Sequence, residues 1–177
     1  MDKNSLQLAL SNAQCHSNMV QLTEDDPQAT LSEINIIDLP DNSIVKKKMD
    51  KSKVDNFFIP NREWGYNKHS DYVIITDDHI VLIEIKSRTE VKNDLEHECI
   101  QKFSSDLCLL KYADNVFDLM LGKNIFFGSK TIHYVLLYQA PSINKATTMK
   151  MEDNTAPSRF RKISVSNAST ISFKKML

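Results

Sequence analysis

The stretch Asp71-Tyr-Val-Ile-Ile-Thr-Asp-Asp-His-Ile-Val-Leu-Ile-Glu-Ile-Lys86 decides the fold of this chain. Two runs rich in β-branched residues, 71–76 and 80–86, flank a short polar segment at 77–79, and this pattern predicts a β-hairpin. Apolar side chains alternate onto both faces of both runs. We therefore expect the hairpin at the centre of a layered α/β domain, covered on both sides.

The segments around the hairpin predict further helices and strands. The cap signal Asp26-Pro27 predicts a helix that buries Leu31, Ile34 and Ile37. A long helix is expected over about 94–120, ending at Gly122. Strands are expected at 57–59 and 131–138, and a final hairpin at 161–165 and 170–173.

This order of elements predicts an α/β fold with a mixed central sheet flanked by helices. The 177 residues form one expected domain, 1–177. Its core would span about 27–140, and 141–177 would form a basic β extension.

Composition excludes several classes of protein. With 3 glycines the chain has no Gly-rich phosphate loop, and no apolar run approaches the roughly 20 residues of a membrane helix. The N-terminus lacks the features of a signal peptide, and the 3 cysteines lack CxxC spacing. We therefore expect a cytoplasmic protein with reduced thiols and no membrane contact.

The formal net charge of −1 hides an acidic front and a basic tail. Residues 1–45 carry one lysine and seven acids, residues 46–140 are balanced, and residues 141–177 carry seven basic and two acidic residues. Clustered basic residues are candidates for contact with the phosphates of a nucleic acid. The candidate nucleic-acid contacts are Lys46, Lys47, Lys48, Lys51, Lys53 and Arg88.

Glu84 and Lys86 interrupt an otherwise apolar strand and project from one face, since they are two residues apart. Burying such charges is costly unless they are paired or bind a metal. A two-residue turn would place Asp71 opposite Glu84, with Cβ atoms about 5 Å apart. A four-residue turn would place Asp71 opposite Lys86, and a three-residue turn would break the alignment. A divalent cation such as Mg²⁺ or Mn²⁺ would relieve repulsion between paired carboxylates.

Ser70-Asp71, twelve intervening residues and Glu84-Ile85-Lys86 resemble the motif of the PD-(D/E)xK, or restriction-endonuclease-like, nuclease superfamily. The hairpin looks most like the nuclease-related and Holliday-junction-resolvase-like branches. The resemblance implies an α-β-β-β-α-β core, with Mg²⁺ or Mn²⁺ held by Asp71, Glu84 and the carbonyl of Ile85. It also implies that Lys86 positions or activates the water that hydrolyses a phosphodiester in line.

The resemblance also suggests accessory residues, and the chain departs from the family at some of them. Ser70 stands where many members have proline, and Ser105 stands where some branches have tyrosine. An acid of the first helix would be Glu33 or Glu24. Further accessory candidates are Gln101 and Lys102 on the long helix, and His69 before the hairpin.

By resemblance, the expected function is Mg²⁺-dependent hydrolysis of DNA, in defence, repair or recombination. DNA is the preferred partner over RNA, and a homodimer or a larger complex is a further expectation. The alternatives are an inactive nuclease-like module that binds DNA or supports assembly, and an RNA endonuclease of the same fold. A structural alternative is a salt bridge between Glu84 and Lys86 on an edge strand.

A second ExK at Glu90-Val91-Lys92 lacks a matching acid and an apolar strand, so it serves as an internal control.

Overall fold

The computed structural model describes residues 14–48, 68–122, 130–139 and 153–177. Within these ranges it contains seven strands, one α-helix and one 3₁₀ helix. The strands are β1 Gln14–Thr23, β2 Glu33–Lys47, β3 Tyr72–Ile75, β4 His79–Lys86, β5 Thr131–Gln139, β6 Arg161–Val165 and β7 Ser169–Ser172. The helix α1 spans Asn93–Leu121, and the 3₁₀ helix spans Phe173–Met176.

The strands form one mixed sheet in the order β1-β2-β3-β4-β5-β6, with β7 paired to β2. Strands β1 to β4 pair antiparallel, whereas β5 runs parallel to β4 and β6 runs parallel to β5. Helix α1 makes the crossover that a parallel β4–β5 connection requires. The predicted α/β class with a mixed sheet is confirmed.

The sheet curls because β2 changes partners along its length. Its first half, around Ile34–Ile37, lies beside β7, and its second half, Ile44–Lys47, lies beside β3. Between the halves, Asp38 and Asn42 have φ values of 59° and 65°, the left-handed conformation that turns a strand. Only residues 166–168 separate β6 from β7, although β6 pairs with β5 and β7 pairs with β2. The sheet therefore curls so that one of its faces encloses an apolar core formed largely by the strands themselves.

Two apolar cores result, one on each face of the central strands. The inner face is covered by the other strands and the 3₁₀ helix, and it buries residues that include Ile36, Ile74, Val81, Ile83, Val135 and Phe173. The opposite face, here called the helix face, packs against α1 and buries residues that include Val73, Leu82, Leu95, Phe103 and Tyr134. Strand β4 is buried on both faces, as predicted.

The hairpin forms in the two-residue register. Tyr72 pairs with Ile83 and Ile75 with Ile80, and the Thr76 backbone N–H donates to the His79 carbonyl at 2.8 Å. The long helix and the strand that follows it are also confirmed. Helix α1 is unbroken and ends at Gly122, whose φ of 63° is the left-handed conformation that glycine adopts without strain.

The predicted helix after Asp26-Pro27 is wrong. The Asp26 carboxylate accepts the Gln28 N–H at 2.9 Å, and its carbonyl accepts the Ala29 N–H at 2.9 Å, so the cap signal closes a turn. Strand β2 follows, because Ile34 and Ile36 bury alternate side chains with the period of a strand. The described residues thus cover the inner face with strands where a flanking helix was predicted.

The predicted final hairpin is also wrong in its pairing. Strands β6 and β7 form where the pattern indicated, but each joins a different part of the sheet in parallel. Both strands are integral to the sheet, so the described residues 153–177 do not form a separate β extension. The predicted strand at 57–59 lies outside the described residues. Among the described residues, no helix is both long enough and apolar enough to cross a membrane.

Candidate active site

Asp71 and Glu84 lie on the helix face at the same level of the sheet. The register of β3 and β4, extended by one residue beyond the Tyr72–Ile83 pair, places Asp71 opposite Glu84. Asp71 Oδ2 accepts the Ile85 backbone N–H at 2.8 Å, which ties Asp71 to β4. Glu84 is buried, with 0% of the residue exposed. The sequence prediction that a two-residue turn aligns these two acids therefore holds at the level of backbone register.

Two lysines contact one oxygen of the buried Glu84 carboxylate. Lys102 Nζ lies 2.5 Å and Lys86 Nζ lies 3.0 Å from Glu84 Oε1. The other oxygen, Oε2, is buried and has no hydrogen-bond partner among the described residues. A buried carboxylate oxygen without a partner is costly, so this position is suited to a ligand that supplies positive charge.

Glu98 completes a network of two acids and two lysines. Lys86 Nζ lies 2.9 Å from Glu98 Oε1, and Lys102 Nζ lies 3.6 Å from the same oxygen. Glu98 and Lys102 are one turn apart on α1, so the helix supplies half of the network. Sequence analysis singled out Lys102 but missed Glu98, whose only signal was its position four residues before Lys102.

The electrostatics of the site disfavour ionised acids. Burial and, after it, the neighbouring Asp71 raise the pKa of Glu84 to about 7, although Lys102 and Lys86 act in the opposite direction. Burial also raises the pKa of Asp71, against the hydrogen bond from Ile85. Burial opposes the charge on Lys86, but Glu84 and Glu98 hold the pKa of its ammonium above the usual value. Lys86 is therefore a cation in this site.

The residues fit a divalent cation of the Mg²⁺ class. Two carboxylates, one directly before β3 and one on β4 with a buried oxygen that has no partner among the described residues, provide hard oxygen donors for a cation that retains several waters. The described residues contain no group of three or more His, Cys, Asp or Glu side chains placed to hold a metal. A site here would consist of Asp71, Glu84, backbone and water. Ile85 contributes its N–H to Asp71, and the ligand role of its carbonyl stays a prediction.

The second ExK segment shows what the same residue types do outside the strand. Lys92 Nζ lies 3.1 Å from Glu90 Oε2, a distance close to that of the Lys86–Glu84 pair. The side chains of Lys92 and Glu90 are 73% and 71% exposed, whereas that of Glu84 is 0% exposed. Burial and the neighbouring Asp71 distinguish the candidate site from an ordinary surface ion pair.

Three predicted accessory residues have partners other than the two carboxylates. The Glu33 carboxylate accepts a hydrogen bond from Gln21 at 2.7 Å, in the first half of β2. Gln101 pairs with His97 at 3.1 Å in an exposed position of α1. The His69 side chain is buried, and its Nδ1 lies 2.7 Å from Asp106 Oδ1. His69 is therefore not a solvated loop residue, and its accessory role stays a prediction.

The predicted basic contacts are mostly engaged within the protein. Lys46 lies on the helix face but only 2% of it is exposed, because β2 continues through it, so a surface phosphate contact there is wrong. Lys47 and Lys48 both pair with Asp25. Lys47 is on the inner-face side of β2, since it pairs with Tyr72 in register. Lys51 and Lys53 lie outside the described residues.

Among the predicted basic contacts that the structure describes, Arg88 is the most exposed, and it lies two residues after Lys86. Its side chain is 59% exposed, and its Nη1 lies 3.1 Å from Asp94 Oδ2. A cavity of 320 Å³ is lined by residues that directly follow Lys86, namely Ser87, Arg88, Thr89, Glu90 and Lys92. The cavity thus follows the candidate site along the chain. Its lining includes two basic side chains, Arg88 and Lys92, and two hydroxyl groups, those of Ser87 and Thr89.

The raised pKa of Glu84 predicts that the free energy of unfolding depends on pH. Its pKa is about 7 in the folded protein and near 4.5 in the unfolded chain, so its stabilising contribution is complete below pH 4.5 and is lost as the pH rises through 7. The free energy of unfolding of wild type, relative to Glu84→Gln, should fall over this range in EDTA. Urea denaturation of both proteins at several pH values measures this difference. Mg²⁺ should restore stability to wild type more at pH 8 than at pH 5, and a pH-independent difference would contradict the electrostatics described above.

Comparison of the chain with protein-family models, curated proteins and solved structures finds no match.

Proposed function

We propose that this protein is a Mg²⁺-dependent nuclease that hydrolyses phosphodiester bonds of DNA. The observation that carries the proposal is the alignment of Asp71 with a fully buried Glu84, whose Oε2 has no hydrogen-bond partner in the part of the chain that the structure describes. A purely structural ion pair would not require a second acid beside a carboxylate that is already difficult to ionise. A cation between these acids would account for the presence of the second acid and for the buried Oε2.

The site offers a division of roles among its residues. Asp71 and Glu84 would hold the cation, which in such sites supplies charge stabilisation and a more acidic bound water. Lys86 lies two residues from Glu84 on the same face and carries a positive charge. It would orient the attacking water or stabilise negative charge that develops on phosphate. Lys102, at 2.5 Å from Glu84, would keep that carboxylate oriented.

The chain path supports the same proposal. Three antiparallel strands, β2, β3 and β4, are followed by a crossover helix and the parallel strand β5. This is the order implied by the resemblance to PD-(D/E)xK nucleases, except that the described residues include no helix before these strands. Preference for DNA over RNA and membership of that superfamily remain part of the proposal.

A second candidate function is favoured by one observation. Lys86 and Lys102 both contact Glu84 Oε1 and supply positive charge to this carboxylate. A nuclease-like module that had lost catalysis could use such a network as a structural element and bind DNA through other surfaces. A bound cation would have to share Glu84 with these lysines in the active protein.

Cleavage assays with the whole chain distinguish these candidates. Purified protein is incubated with duplex DNA, single-stranded DNA and RNA in Mg²⁺, Mn²⁺ or EDTA. We expect cleavage of DNA in Mg²⁺ or Mn²⁺ and none in EDTA. Cleavage of RNA alone would change the substrate class. Salt-sensitive DNA binding without cleavage under any condition would contradict the nuclease proposal and favour the inactive module.

A further inference from the structure

Asp106 is a buried carboxylate on α1 whose contacts converge on the two residues before Asp71. None of its surface is exposed. Its Oδ2 accepts the backbone N–H of Ser70 at 3.0 Å and also the Ser70 hydroxyl. Its Oδ1 lies 2.7 Å from His69 Nδ1. A buried carboxylate satisfied in this way fixes the segment that it contacts, because each lost contact would leave a buried charge unpaired.

The segment that Asp106 contacts leads directly into the candidate site. Ser70 precedes Asp71, which lies before the first paired residue of β3. On its other side, Asp71 is anchored by the Ile85 N–H of β4 at 2.8 Å. The Asp71 carboxylate is thus located between two anchors, one on the helix and one on the strand that carries Glu84.

Helix α1 also contacts the second acid of the site. Glu98, Lys102 and Asp106 are spaced four residues apart, so they follow one stripe of the helix. Lys102 contacts Glu84, and Asp106 contacts the residue before Asp71. One rigid element therefore sets the positions of both carboxylates relative to each other.

We propose that Asp106 is a positioning residue that holds Asp71 in place to share a divalent cation with Glu84. The metal-binding part of this inference rests on the proposed function. The geometric part, that Asp106 fixes Asp71 against β4, does not depend on a metal. Loss of Asp106 should release the Asp71 segment, weaken its hydrogen bond to Ile85 and reduce the affinity for the cation.

The test compares Asp106→Ala and Asp106→Asn with wild type and with a matched control, Asp114→Asn. Asp114 is also a buried carboxylate of α1, eight residues further along the helix. Hydrogen exchange of the Ile85 amide, with the Leu82 amide in the same strand as reference, reports the Asp71 anchor. Calorimetric titration with Mn²⁺ reports the cation affinity, and thermal unfolding reports global stability.

For Asp106→Ala we expect the protection of Ile85 relative to Leu82 to fall about tenfold, and Mn²⁺ affinity to fall about 10- to 100-fold. Asp106→Asn should show smaller losses of both, and Asp114→Asn should lower stability without selective loss at Ile85. If Asp106→Ala does not fold, Ser70→Ala, which removes only the hydroxyl contact, should reduce the same two quantities to a lesser degree.

The outcomes separate the two proposals. Unchanged relative protection of Ile85 in the folded Asp106 variants would overturn the positioning role, whatever the metal result. An equal loss of Mn²⁺ affinity in Asp114→Asn would also overturn it, because the effect would then be a general consequence of helix damage. Selective loss of Ile85 protection, together with a wild type that binds no Mn²⁺, would support the anchor and refute the proposed metal site.

Discussion

Glu84→Gln should reduce metal-dependent cleavage at least about a hundredfold while leaving the protein folded. Glutamine has the shape of glutamate and can still accept hydrogen bonds from Lys86 and Lys102 through its amide oxygen. It lacks the charge that a divalent cation requires, and its amide nitrogen cannot serve as a ligand. Initial rates on duplex DNA in Mg²⁺, with Mn²⁺ affinity measured in parallel, test both consequences.

The control for this substitution is Glu90→Gln in the exposed ExK segment. It makes the same chemical change six residues away, in a side chain that is 71% exposed, so cleavage should change little. Below about pH 4.5 the stability of Glu84→Gln should approach that of wild type, since Glu84 is then protonated in both the folded and the unfolded chain. Full activity in Glu84→Gln would refute the assignment of the metal site, and equal losses in both variants would show that the effect is not specific to the buried acid.

Lys86→Met should reduce cleavage about 10²- to 10⁴-fold, the range expected for loss of a group that acts on the reacting atoms. The methylenes of methionine preserve most of the packing, while the charge that would act on water or phosphate is lost. Mn²⁺ affinity should not fall and could rise, because a competing cation has been removed from Glu84. Single-turnover rates at saturating Mn²⁺ measure the chemical step without the contribution of metal binding.

Lys92→Met is the matched control for Lys86, since it removes an exposed lysine from the same ExK pattern. We expect its cleavage rate to stay near that of wild type. If Lys86→Met loses Mn²⁺ affinity in proportion to its rate, Lys86 would act on metal binding and not on the reaction. If it retains the wild-type rate, the lysine is only a partner of Glu84 and Glu98.

The central hairpin was predictable because its signals are local. A two-residue polar turn between β-branched runs fixes the register, and the register fixes which side chains share a face. Spacing alone therefore places Glu84 and Lys86 on one face, whereas the alignment of Asp71 with Glu84 depends on the turn length, which the sequence leaves open. The helix predicted in the N-terminal region was wrong because the signals there are ambiguous or not local. Asp26-Pro27 is as typical of a chain reversal as of a helix start. The pairing of β2 with β1, β3 and β7 depends on residues that are distant in sequence.

The helical part of the site could not be predicted, since the rotation of α1 against the sheet depends on packing. Phe103 contacts Tyr134 edge-on, with ring centroids 5.4 Å apart, and this contact helps to turn Lys102 and Asp106 towards the sheet. Gln101, one position away, faces His97 instead. Lys46 was expected on the surface because it begins a lysine-rich run, but strand β2 extends through it and buries it.

A crystal of the protein soaked in Mn²⁺ and measured at the manganese absorption edge tests the central claim most directly. The account predicts an anomalous peak within about 2.3 Å of oxygens from both Asp71 and Glu84, and no peak there in a crystal of Glu84→Gln. A well-ordered site with no peak, in which Glu84 keeps only its contacts with Lys86 and Lys102, would contradict it.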